Sequence, residues 1–206
     1  MSLRRPSSTL AVALAAAGFF LSTGAALGES RHEPASKPTM PERFALCAAC
    51  HGEGGRSSQA LVPSLAGQPS FYAITQLFLF REGRRSNEAM SAVAKGMSDD
   101  DLRAFSDYIG QLPPPPAAQT PADPLRMARG AALARQHHCA GCHGSDYAGG
   151  QQVARLAHQR EDYLLQTLRQ FSAAQRVGYT QAMNEALAGI SPEGLEDLAH
   201  FLAHQP

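Results

Sequence analysis

All four cysteines of the chain fall in two copies of one short pattern, Cys47-Ala-Ala-Cys50-His51 and Cys139-Ala-Gly-Cys142-His143. In each copy two thiols stand one helical turn apart, and an imidazole follows the second directly. Both thiols can add to the vinyl groups of one macrocycle, which places the adjacent histidine beneath the iron as an axial ligand. Three other chemistries fit worse. A structural zinc site wants four ligands, and each motif offers three. A redox-active Cys-x-x-Cys belongs in a βαβ setting, and no strand pattern flanks either copy. A disulfide framework spreads its cysteines along the chain. What remains is two covalently held haem c groups, attached through Cys47, Cys50, Cys139 and Cys142, with His51 and His143 on the irons.

Iron held by His on one side and Met on the other is the electron-transfer arrangement. Downstream of the motifs stand Met90, Met97 and Met183. Met90 and Met183 occupy the same place relative to a following helix start, whereas Met97 matches Ile190, which cannot bind iron. Met97 also has a structural role: it precedes Ser98 and can pack on Leu102 as a hydrophobic staple, as Ile190 can on Leu195. Met90 and Met183 are therefore the expected sixth ligands.

These matches belong to an internal repeat that covers most of the chain. Leu65-Ala66-Gly67-Gln68 matches Leu156-Ala157-His158-Gln159, Tyr72 matches Tyr163, Phe80 matches Phe171 and Arg85 matches Arg176. Tyr72, Arg85, Tyr163 and Arg176 are repeated polar residues near each motif, candidates to bond haem propionates. A solvated face is the alternative for the two arginines. Four successive prolines, Pro113 to Pro116, cannot continue a helix and favour an extended spacer. The division expected is a domain over 40–112, a linker over 113–122 and a second domain over 123–206.

Both halves read as helical. Asp123-Pro124 carries an N-cap and a proline at the first helical position. Middle helices are expected over Tyr72–Arg81 and Tyr163–Ala173. Ser98 and Ser191 cap last helices whose apolar faces are Leu102, Phe105, Ile109 and Leu195, Leu198, Leu202. In the first half Pro41 stands only six residues ahead of Cys47, which predicts a short opening helix. His137 and His138 read as helix-end caps rather than ligands, and His158 as an exposed loop residue.

Arg4 and Arg5, the apolar run Leu10–Leu21 and the small residues before Gly28 read as an export signal over 1–28, with an uncleaved anchor as the alternative. Its removal leaves a net charge of −2 with His neutral. The mature chain has no basic stripe, which excludes nucleic-acid binding.

With these features together, the chain resembles the cytochrome c4 family of dihaem class I c-type cytochromes. The resemblance rests on both haem motifs, Pro63-x-Leu65-Ala66-Gly67-Gln68, Tyr72-x-x-x-Gln76-Leu77-x-x-Phe80-x-x-Gly83-x-Arg85, and the methionines ahead of capped terminal helices. It implies an all-α fold of two tandem cytochrome c domains facing each other, with propionates close across the interface. It implies that the Pro63 carbonyl accepts a hydrogen bond from His51. Ala154 stands at that place in the second half, without proline's fixed backbone angle. The implied function is a periplasmic electron carrier, not an enzyme. A respiratory complex or dehydrogenase would be its donor and a terminal oxidase its acceptor. Peripheral association with a membrane surface stays open. The alternative is a haem subunit of a dehydrogenase, such as a sulfide-oxidising flavocytochrome. A dihaem enzyme fits less well, because thiosulfate-oxidising relatives ligate one iron with a further cysteine and none is left here.

Overall fold

The computed structural model describes residues 37–176 and 181–205. The expected signal over 1–28 lies outside the described residues. Those described form helices and connecting loops, with one isolated bridge between Gly150 and Val153 and no strand among them.

The first half opens with α1 (Met40–His51). The Glu42 carboxylate accepts from both the backbone N–H and the hydroxyl of Thr39, at 2.7 and 2.8 Å. This reciprocal cap suits Pro41, whose missing N–H falls where no intrahelical partner exists. The helix is short ahead of the motif, as its proline demands, but runs unbroken through both cysteines to His51. Good helix formers fill that stretch and nothing interrupts it. Then come α2 (Ser70–Arg81), α3 (Glu88–Ala94) and α4 (Asp99–Gln111). Ser98 begins α4 in a capping box with Asp101, as its sequence signature requires. The Arg43 side chain ties α1 to Asp101 and lies 4.8 Å over the Phe105 ring.

The second half repeats the plan with α5 (Pro124–Gln136), α6 (Ala140–His143), α7 (Glu161–Ser172), α8 (Ala182–Ala186) and α9 (Pro192–Ala203). Here the opening helix stops before the motif. His138 takes a left-handed φ of 55°, and the four-residue α6 restarts the turn that carries Cys142 and His143. In both halves the terminal helix is the hub: α4 packs on α1 and α2, and α9 on α5 and α7. The expected stripes Leu102, Phe105, Ile109 and Leu195, Leu198, Leu202 are buried.

The α5–α9 crossing depends on Gly130. A Cβ there would sit 2.3 Å from the Asp197 carbonyl oxygen and 2.5 Å from the Phe201 Cβ. Gly130→Ala is expected to destabilise the protein by about 1–3 kcal/mol through overpacking, despite alanine's better helix propensity. Thermal denaturation of the two proteins measures this directly.

Residues 113–122 contain no helix, but the segment does not hang free. Pro115 is buried, Arg56 reaches the Pro113 carbonyl at 3.4 Å, and His158 holds the Pro115 carbonyl at 3.0 Å. The other His158 nitrogen meets the Gln205 carbonyl at 2.9 Å. So His158 is neither exposed nor near a ligand role. It pins the proline segment to the C-terminus.

Candidate haem-binding sites

Each motif histidine is held by one bond to a carbonyl. His51 Nδ1 lies 2.8 Å from the Pro63 oxygen, and His143 Nδ1 lies 2.8 Å from the Ala154 oxygen. A carbonyl only accepts, so Nδ1 carries the proton in both rings, and Nε2 is the nitrogen with a free lone pair. Burial pushes both imidazoles below their ordinary pKa, and the carbonyl bonds partly offset this. At neutral pH they are neutral, the state in which imidazole binds iron. The loss of proline at Ala154 leaves the bond length unchanged.

Local backbone explains how the carbonyls arrive there. Gly52 and Gly144 directly follow the histidines at φ +80° and +83°. A Cβ on Gly52 would sit 2.0 Å from the Arg56 carbonyl oxygen. That left-handed turn ends the helix and brings the chain back toward the imidazole.

The cysteines fit covalent attachment. Cys47 and Cys139 are half-buried against the two cores, Cys50 and Cys142 are exposed, and no disulfide joins them. Burial raises the Cys47 and Cys139 thiols above their ordinary range.

Met90 lies in α3, where the Asn87 side chain accepts from its backbone N–H at 2.9 Å, and it is half-buried against the first core. Met97 packs on the same core, to which Leu102 also belongs, as a staple residue would. Met183 lies in α8 against the second core. His137 ends α5, yet its ring caps a different helix: Nδ1 donates to the Ala186 carbonyl at the end of α8, at 2.8 Å.

The arginines do not lie on a solvated face. Arg176 is 8% exposed and Arg85 is half-buried, each stacked over a phenylalanine of its own half, Phe171 at 4.8 Å and Phe80 at 4.4 Å. Arg85 donates to the Gln76 oxygen at 2.6 Å and, across to the other half, to the Tyr163 hydroxyl at 2.9 Å. Burial acts to raise the Tyr163 phenol, but Arg85 and Arg176 outweigh it and hold the pKa below its ordinary value. Such a cationic, donor-rich cluster suits carboxylates. Tyr72 is half-buried on α2.

The repeated Leu-Ala-Gly/His-Gln segments carry no sequence signal for what their glutamines do. The structure shows it. Gln159 Oε1 accepts from the Ser64 N–H at 2.8 Å while its amide donates to the Ser64 carbonyl at 2.8 Å. Gln68 does the same to Arg155, at 3.0 and 2.9 Å. Each glutamine thus grips the backbone of the opposite half at corresponding positions of the repeat.

The sequence pattern of the family described as Cytochrome c matches residues 42–113 and 127–206. A cytochrome c4 from Thiocapsa roseopersicina is 34% identical over 168 residues, covering 76% of this chain and 85% of that protein. This chain belongs to the cytochrome c4 family. The crystal structure of reduced recombinant cytochrome c4 from Pseudomonas stutzeri superposes with a TM-score of 0.72 at 26% identity, over 80% of this chain and 95% of that one. A protein from Thiomonas intermedia described as a thiosulfate dehydrogenase electron acceptor is 31% identical over 189 residues, covering 84% of each chain. As a cytochrome c4 the protein is a two-domain, dihaem electron carrier with two haem c groups, not an enzyme, and its partners are redox proteins. No helix among the described residues is long and apolar enough to cross a membrane.

Proposed function

We propose that the protein is a periplasmic shuttle that takes electrons from a respiratory complex or dehydrogenase and delivers them toward a terminal oxidase. Each haem c, when bound, supplies a one-electron ferric–ferrous couple. The observation that carries the reading is the duplicated histidine geometry: in both halves a buried, neutral imidazole is oriented by a carbonyl with Nε2 left for iron. Cys47 and Cys50 hold one group and Cys139 and Cys142 the other. Met90 and Met183 would be the further iron ligands beside His51 and His143, which would leave neither iron a place for substrate. Arg85, Arg176, Tyr72 and Tyr163 would receive the haem carboxylates and offset their charge.

The Thiomonas relative favours a second reading, in which the donor is a dehydrogenase of sulfur compounds. A chain that copurifies with a larger catalytic subunit would support it.

Mature charge is −2, and both halves lie near neutrality, so electrostatic steering should be weak. Stopped-flow mixing of the reduced protein with a membrane-bound terminal oxidase should show fast oxidation. The rate should change by less than about twofold between low and moderate salt. No oxidation would contradict the acceptor assignment, and a steep fall with salt would contradict weak steering.

A further inference from the structure

The cross-domain glutamines and the proximal histidines meet on the same two peptide groups. The Pro63–Ser64 peptide accepts from His51 Nδ1 through its C=O at 2.8 Å, and its N–H donates to Gln159 Oε1 at 2.8 Å. The Ala154–Arg155 peptide accepts from His143 Nδ1 at 2.8 Å, and its N–H donates to Gln68 Oε1 at 3.0 Å. Both glutamines are buried, at 5% and 7% exposure. Each relay therefore reads histidine, peptide, glutamine, and the glutamine always belongs to the other domain.

We infer that Gln159 tunes the haem held by His51, and Gln68 the haem held by His143, each through the peptide it grips. A peptide whose N–H is engaged has a more negative carbonyl oxygen, because hydrogen bonds in series polarise one another. A stronger acceptor draws the Nδ1 proton, makes the imidazole a more basic ligand and favours ferric iron. Releasing the N–H reverses this and raises the potential. Domain docking thus sets the potentials of both haems, and each domain reports its contact to the iron of the other. The second glutamine bond, to the Ser64 or Arg155 carbonyl, fixes the amide so that its oxygen faces the N–H.

The inference rests on His51 and His143 being iron ligands, and one measurement separates the two claims. In the oxidised holoprotein, proton NMR must show strongly paramagnetically shifted ring resonances for both histidines; their absence defeats the ligand assignment itself. With that established, Gln159→Leu should move the His51 Nδ1–H resonance. It should also raise the midpoint potential of the first haem by an amount equal to about a threefold change in its reduction equilibrium, leaving the second haem within error. Gln68→Leu should give the mirror result. A purely structural role for the glutamines predicts equal shifts at both haems, or a shift confined to the glutamine's own domain, and either overturns the inference. If small-angle scattering shows that Leu loosens the docking, Gln159→Glu decides, because it keeps an acceptor oxygen for the Ser64 N–H. Its first-haem potential must stay at or below the native value, and a rise overturns the proposal.

Discussion

Replacing Met90 by Ala is expected to open the first haem and leave the second closed, while Met183→Ala does the reverse and Met97→Ala opens neither. Met90 and Met183 hold equivalent positions, on α3 and α8, each half-buried against the core that also receives the first cysteine of its motif. Met97 touches the first core as well, so packing alone does not choose between them. Its counterpart Ile190 does: a position that tolerates isoleucine in one domain performs packing, not ligation. Loss of a sixth ligand turns a closed iron into one that binds carbon monoxide rapidly when reduced, seen as a shifted Soret band of half the total haem. Met97→Ala should leave that spectrum unchanged and cost about 2 kcal/mol, the low end for truncation of a large apolar side chain. Opening by Met97→Ala but not by Met90→Ala would show that the ligand assignment is reversed.

Removing one haem should harm the two domains unequally. Among the described residues, the first domain buries Phe44, Ala66, Ala73, Leu77, Leu79, Phe80, Ala94, Leu102, Phe105 and Ile109. In the second, thirteen apolar residues are buried among those described, including Leu164, Leu168, Leu187, Leu198 and Leu202. Domains of this size bury too little surface to be stable alone, and a covalent macrocycle supplies the missing apolar core. The smaller core depends on it more. Cys47→Ala with Cys50→Ala should lower the intact mass by one haem and abolish most of the helical circular dichroism of the first domain at 25 °C. Cys139→Ala with Cys142→Ala should lose one haem too, but retain more of its helix signal. Equal loss in both variants would contradict the dependence on core size.

Much of this architecture is legible in the amino-acid sequence because it rests on local rules. Asp123 accepts from the N–H groups of Leu125 and Arg126, Ser98 and Ser191 cap their helices, and proline stands at helix starts where it is tolerated. The apolar stripes of α4 and α9 follow from a 3.6-residue period. What could not be read is what one half does to the other. Arg85 looks like a solvated arginine until Tyr163 is brought to it from 78 residues away. His158 looks like a loop residue until the proline segment and the C-terminus close over it. Gln68 and Gln159 are visible as a repeated pair, yet each finds its partner in the other half, which no periodicity encodes. The signal available was their recurrence with a neighbouring residue that changed from glycine to histidine.

Irons closed on both sides by side chains are what separates a carrier from a catalyst. An outer-sphere carrier passes electrons through the haem edge, whereas an enzyme must expose iron to its substrate. The measurement that tests this most directly is carbon monoxide binding to the unmodified, fully reduced protein at neutral pH. Negligible or very slow binding is expected at both haems. Rapid binding to either one would contradict that.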